Sequence, residues 1–315
     1  MSDSHYVIRN YQPSDFNKYA LLNIEAERLE TTGRCVSPQV ITEQLDRPNY
    51  SPEQDLFLAE LAGNIVGYMD ATPELTIGRV ILDCWIQPEH RRRGLAKELL
   101  GFAMQHAKKL RVKVAHVNIP EDNAVAKGVL SGMGFQCVRR FLELKLDMAE
   151  LPRQAIDQDN PGYCHIKRGE ADKLTYIQNR SFVDTWGFNP NTIEEITYRT
   201  SLSNSSPEDI VLTAENDKVT GYCWTGATDA GIATGERKGR IFMIGVDPDY
   251  RGMGLGKRVL LAGLAHLNNK GMRVAELTVD SENKAACDLY RSVGFKVRTS
   301  SLWYEKVIDQ ATGVK

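Results

Sequence analysis

The segment Arg251-Gly252-Met253-Gly254-Leu255-Gly256-Lys257 sets three alternating glycines between two cations, directly before a stretch of helical apolar spacing. Such a turn can grip an anion. The first N–H groups of a helix have no partner within it, and the dipole there favours negative charge. Glycine lets the backbone approach a phosphate without a Cβ clash, and Arg251 and Lys257 add positive charge. Two familiar phosphate motifs do not fit. A P-loop would need glycine where Arg251 stands and Ser or Thr where Arg258 stands, and the dinucleotide fingerprint needs G-x-G-x-x-G rather than G-x-G-x-G. The pattern that fits is Arg-x-x-Gly-x-Gly/Ala, which occurs twice: Arg251, Gly254, Gly256, and Arg91, Gly94, Ala96.

The two occurrences belong to a long repeat. Pro88 and Pro248, Gly94 and Gly254, Asn123 and Asn283, and Gly134-Phe135 and Gly294-Phe295 all keep one offset, 248 − 88 = 160. Four anchors in register argue for two copies of one domain. With 315 residues, two domains are also the expected number. The Pro- and Gly-bearing stretch near 150–162 reads as a linker, giving domains at 1–150 and 163–315.

Each copy must then position its turn with the same elements. Ile8-Arg9 and Ile166-Lys167 open the copies. A hairpin follows, from Phe57 to Tyr68 through Gly63-Asn64, or from Val211 to Tyr222 through Asn216-Asp217. Next come an apolar strand (Val80–Ile86 or Ile241–Val246), the glycine turn, a helix (Leu95–Lys109 or Leu255–Asn269) and a strand (Lys113–Ile119 or Val274–Val279). A second helix with Asn near its start leads through Gly-Phe into a last strand. Strands alternating with helices define an α/β domain.

The glycine pattern, together with Asn283-Lys284-Ala285-Ala286-Cys287-Asp288-Leu289-Tyr290-Arg291-Ser292-Val293-Gly294-Phe295, resembles the GNAT superfamily of acyl-CoA N-acyltransferases. Tandem members of this size, similar to the mycothiol synthases, add Val246-Asp247-Pro248 and Val279-Asp280 to the likeness. The resemblance implies two tandem domains, each a mixed, mostly antiparallel sheet flanked by helices, with a cleft for acetyl-CoA where two strands splay apart. It implies that the pantetheine arm lies along Ile244, Gly245 and Val246. The diphosphate would sit on Arg251, Gly252, Met253, Gly254, Leu255, Gly256 and Lys257, with Asn283 nearby. The first copy offers Ile86, Arg91, Arg92, Arg93, Gly94, Leu95, Ala96 and Asn123 at the matching positions. Tyr290 stands where family members carry the proton donor for the leaving thiolate. In the first copy that position is Leu130, so catalysis is expected in the second copy, and the first is expected to be structural or a vestigial cofactor site.

The general base is not legible. Mycothiol synthase-like proteins carry Glu at the start of the central strand of the second domain, where this chain has Arg240; Glu236, Asp229 and Asp184 are substitutes. For the acceptor, the segment after the first strand of the second copy supplies Asp184, Trp186 and Phe188, which either wall a cleft or close the core.

Composition removes other classes. Lys plus Arg is 39 and Asp plus Glu is 41, so the net charge is −2, against nucleic-acid binding. The longest apolar stretch, Val259–Leu267, is broken by His266 and too short to span a bilayer, and the polar start lacks a secretory signal, so a cytoplasmic protein without membrane partners is expected. Cys35, Cys84, Cys137, Cys164, Cys223 and Cys287 form no C-x-x-C pair and read as reduced, buried thiols. The six histidines show no metal spacing, and no metal is expected. The reading is an acetyl-CoA-dependent N-acetyltransferase of a small amine, monomeric or homodimeric. Protein or peptide N-acetylation and a non-catalytic acyl-CoA sensor are the alternatives.

Overall fold

The computed structural model describes residues 5–30, 36–151, 163–216, 218–228 and 237–309. In chain order the elements are β1 (Val7–Asn10), α1 (Phe16–Glu30), α2 (Pro38–Leu45), α3 (Pro52–Asp55), β2 (Leu56–Leu61), β3 (Asn64–Glu74), β4 (Arg79–Ile86), α4 (Leu95–Lys109), β5 (Val114–Pro120), α5 (Ala124–Gly132) and β6 (Gln136–Asp147). The repeat follows as β7 (Tyr163–His165), α6 (Ala171–Phe182), α7 (Ile193–Ser201), β8 (Ile210–Glu215), β9 (Lys218–Thr228), β10 (Lys238–Val246), α8 (Leu255–Asn269), β11 (Val274–Asp280), α9 (Lys284–Val293) and β12 (Lys296–Val307). Helices α4 and α8 have the bounds expected from sequence. The opening strand of the second copy lies earlier than Ile166-Lys167, ending at His165, while the Ile166 amide still donates to the Ile210 carbonyl.

Two compact units form, and they are not the two halves of the sequence. One comprises Met1–Arg139 with Ser301–Lys315; the other is Arg140–Ser300. The first unit runs β1-β2-β3-β4-β5 and is completed by β12, whose Ser301–Val307 pair antiparallel with β5. The second runs β7-β8-β9-β10-β11 and is completed by β6, whose Phe141–Asp147 pair antiparallel with β11. The final strands are exchanged between the copies. The domain limits expected at 1–150 and 163–315 therefore follow the repeat, whereas compactness follows the pairing. The crossing points obey the repeat too, since 300 − 140 = 160.

Each sheet is covered on both faces. In the second unit, α8 and α9 pack over Ile241, Cys223, Leu277 and Leu144, while Leu174, Ile177 and Ile196 of α6 and α7 cover Tyr222 and Trp224 on the other face. The first unit repeats this, with Leu99 and Leu130 on one face and Tyr19 and Ile41 on the other. Each unit also repeats a His–Asp tether. His106 Nε2 donates to Asp55 Oδ1 (2.7 Å), and His266 Nε2 donates to Asp209 Oδ1 (3.0 Å). These pin each glycine-turn helix to the start of its hairpin.

Among the described residues, Cys84, Cys137, Cys164, Cys223 and Cys287 are free thiols. Burial is expected of them all, yet Cys84, Cys137 and Cys164 are exposed. Cys35 lies outside the described residues. Among the described residues, no helix is long and apolar enough to cross a membrane, and no cluster of His, Cys, Asp or Glu could hold a metal.

Candidate active site

The second unit builds its glycine corner on a short 3₁₀ turn, Pro248–Tyr250, capped by the fully buried carboxylate of Asp247. Arg180 of α6 donates to Asp247 (2.7 Å) and Asp249 (2.8 Å). That hydrogen bond outweighs burial and holds the Asp247 carboxyl below its ordinary range. Arg251 donates to the Ser181 carbonyl (2.8 Å), so its guanidinium ties the corner to α6. Beyond it, Gly252 and Gly254 take φ of 78° and 77°, where an L side chain is strained. Gly254 is the N-cap of α8, and no side chain caps that helix. A Cβ at Gly252 or Gly254 would meet nothing within 4 Å, so the glycines serve the backbone conformation and open space, not packing. The cradle suits a diphosphate, with the amides of Gly252 to Gly256 to hold it and exposed Lys257 to add charge.

The strands entering this corner separate. Parallel pairing of β10 with β11 covers Lys238–Ile241 against Val274–Leu277 and stops there. A bulge between Ile241 and Met243 re-aims β10 at that point. From Met243 to Val246, β10 pairs with β9 alone among the described strands, leaving its other edge open for an extended amide-bearing arm. Gly245 is obligatory, since a Cβ would lie 2.5 Å from Ser181 Cβ.

Tyr290 of α9 is buried in the core of the second unit. Its ring packs edge-to-face on Phe295 (5.8 Å) within the apolar cluster that Ile244 and Val246 also touch. Burial pushes the phenol's pKa up, so it keeps its proton throughout the physiological range.

On the opposite face, Trp186 packs against Phe141 (6.1 Å), whose strand position faces Asp280 at the open end of β11. Phe188 stacks on Phe182 (5.3 Å) and closes the end of α6, while Asp184 is exposed beside them. Arg240 donates to Thr278 Oγ1 (2.6 Å), Thr278 donates to Glu143 Oε1 (2.8 Å), and Arg240 lies 3.6 Å from Glu143. A carboxylate thus stands two strands from the position where β10 carries Arg240. It was not among the sequence candidates because it lies in the first half of the chain and arrives only by strand exchange. Asp229 and Glu236 lie outside the described residues.

The first unit keeps the splay, with β4 and β5 pairing only from Arg79 to Ile81, but not the bulge. Its corner is less suited to an anion. Arg92, in place of Gly252, is forced to φ 61°, and Glu98 falls in the first turn of α4, near Gly94. Arg91 is engaged with Ile86 O (2.7 Å) and Glu30 (2.6 Å), and Arg93 with Tyr6. Asn123 and Asn283 act as N-caps, accepting from Ala126 N (2.9 Å) and Ala286 N (3.1 Å). Their repeat in the sequence follows from helix starts.

The family model of the acetyltransferase (GNAT) family matches residues 20–135 and again 171–295. This chain belongs to the GNAT acetyltransferase family. It is 30% identical to a mycothiol acetyltransferase of Thermobifida fusca (strain YX) over 242 residues, covering 71% of this chain and 74% of that protein. Its fold matches a GCN5-related N-acetyltransferase from Sphaerobacter thermophilus (TM-score 0.71, 20% identity, 96% of each chain). It also matches a tandem GNAT protein from the clavulanic acid biosynthesis pathway (TM-score 0.68, 16% identity, 97% of this chain and 99% of that one). As a GNAT N-acetyltransferase it uses acetyl-CoA and transfers acetyl to an amine.

Proposed function

We propose that the second unit acetylates a primary amine of a small molecule by direct attack in a ternary complex, and that the first unit is structural or a vestigial cofactor site. The observation that carries this is the difference between the corners. Both helix starts lack a side-chain cap, but the second is built on two left-handed glycines with no acidic residue in its first turn, and Tyr290 lies in the cluster that Ile244 and Val246 touch. The other has a strained arginine, a first-turn glutamate, and Leu130 for the tyrosine.

Bound acetyl-CoA supplies an acyl group already activated as a thioester. The amides of Gly252 to Gly256 and the charge of Lys257 hold the diphosphate, with Asn283 fixing the start of α9. The Ile244 N–H, on the unpaired edge of β10, is oriented toward the developing negative charge on the carbonyl oxygen. Tyr290 Oη holds the proton given to the departing sulfur. Glu143, polarised by Arg240 through Thr278, takes the proton of the attacking amine, directly or through water. Trp186, Phe188 and Asp184 border the acceptor side. The name of the relatives makes the mycothiol acetyl acceptor the first amine to test.

A thiol-release assay with acetyl-CoA and a panel of small amines and amino-terminal peptides tests the reading. Stimulation by small amines is expected. Stimulation by peptides alone would move the acceptor class to proteins, and CoA binding without release by any amine would leave a sensor.

A further inference from the structure

In the second unit, the last turn of α7 carries a guanidinium, Arg199, that no carboxylate among the described residues contacts, Glu195 one turn earlier acting on it only at a distance. Arg199 Nη1 donates to Asn191 Oδ1 at 3.4 Å, its Nη2 lies 4.0 Å from Met243 Sδ, and its Cζ is 4.8 Å above the Trp224 ring. Burial lowers its pKa, and no carboxylate among the described residues forms an ion pair with it. The neighbouring polar groups are also unsatisfied. Gln178 Nε2, Tyr222 Oη and Ser181 Oγ are sealed from solvent without a hydrogen-bond partner. Asn191 links Gln178 to Arg199, donating to Gln178 Oε1 (3.1 Å). Ser181 and Tyr222 both abut Gly245. A desolvated cation surrounded by unpaired donors is costly unless an acceptor arrives to complete it. The Trp224 face offsets only part of that cost.

The repeat supplies an internal control. Met243 faces Trp224 across β10 and β9, and Asp83 faces Asp70 across β4 and β3. So Asp70 holds the position of Trp224. In the first unit, Arg47 meets that carboxylate at 3.1 Å while stacking on Tyr50, and Tyr50 and Thr72 donate to the same Asp70. The second unit keeps a half-buried arginine on this face but replaces its carboxylate with tryptophan.

We propose that Arg199, with Gln178, Tyr222 and Asn191, receives an anionic group, carboxylate or phosphate, carried by the amine acceptor. The inference rests on the amine-acetylation reading above and names its substrate class. The ligand supplies the charge that Asp70 supplies in the first unit. Donors fill the site, so it selects an oxyanion rather than a second ammonium. Because Met243 adjoins the bulge and precedes Ile244, the anion is bound close to the thioester, and the acceptor is a compact amino acid or amino sugar phosphate.

The test uses matched amines: β-alanine with its amide, glutamate with glutamine, and glucosamine 6-phosphate with glucosamine. Thiol release gives kcat and KM for wild type, Arg199→Gln, Arg199→Lys and Tyr222→Phe, and calorimetry in the presence of CoA gives binding. Wild type is expected to prefer the charged member of at least one pair by tenfold or more, mainly through KM. Arg199→Gln should bring that ratio to about one, Arg199→Lys should restore part of it, and Tyr222→Phe should reduce it several-fold. A carboxylate pair or the phosphate pair carrying the effect identifies the anion. Equal handling by wild type, or a preference that survives Arg199→Gln, overturns the proposal while leaving acetyl transfer intact. If no amine releases thiol, the transfer reading fails, and calorimetry alone decides: anion binding lost in Arg199→Gln sustains the site, and no binding overturns it.

Discussion

The phenol of Tyr290 lies in the cluster that borders the unpaired edge of β10, and burial raises its pKa. Tyr290→Phe removes one hydroxyl and leaves the contact with Phe295. The expected result in thiol-release kinetics is a fall in kcat of roughly a hundredfold, with the KM for acetyl-CoA unchanged and a native melting curve. Because the folded phenol titrates above its ordinary value of about 10, kcat should show no loss on the basic side below that pH. Glu143 behaves oppositely. Glu143→Gln should lower kcat/KM by roughly tenfold or more near neutrality, with the deficit shrinking as pH rises and the amine loses its proton unaided. A deficit independent of pH would remove Glu143 from the role of base.

At the scale of single elements, the start of α8 decides whether the corner can hold an anion. Gly254→Val has room for its side chain, so the penalty is conformational, about 1–2 kcal/mol for a non-glycine residue in the left-handed region. It should raise the KM for acetyl-CoA tenfold or more, whereas the same change at Gly94 should leave that KM unaltered. The far side of α8 is held by His266 and Lys270, which meet Asp209. Burial pushes the Asp209 carboxyl up, but those two partners outweigh it and hold it below the usual range. A lowered folded-state pKa stabilises above the unfolded value of about 4, and that contribution disappears as pH falls through the folded value. Asp209→Asn should therefore melt earlier at neutral pH, with the gap to wild type closing on acidification. A gap that widened in acid would contradict this linkage.

For the whole molecule, the exchanged strands mean that neither half of the sequence completes its own unit. Leu302, Tyr304 and Ile308 are buried in the core of the first unit, and burial of such side chains contributes about 1.5–3 kcal/mol each. Their sum approaches the net stability of a domain, about 5–15 kcal/mol. Deleting 301–315 should abolish hydrogen-exchange protection in β2 to β5 while β8 to β11 stay protected. Equal loss in both units would show that they unfold as one.

Much of this molecule was legible in its residues. The 160-residue offset, the helices behind both glycine turns and the strand order before them follow from periodicity and from what glycine permits, which are local properties. So does the Asn near the start of the second helix of each copy, which the structure shows capping it. What remained hidden depends on which strands pair and which side chains share a face. Residues 143 and 240 gave no sign of meeting at Thr278, nor 70 and 224 of occupying one position in two units. Pairing across such separations is selected by the burial of whole faces. Only the folded sheet therefore decides where Glu143 arrives and that Arg199 is left without an ion-pair partner among the described residues.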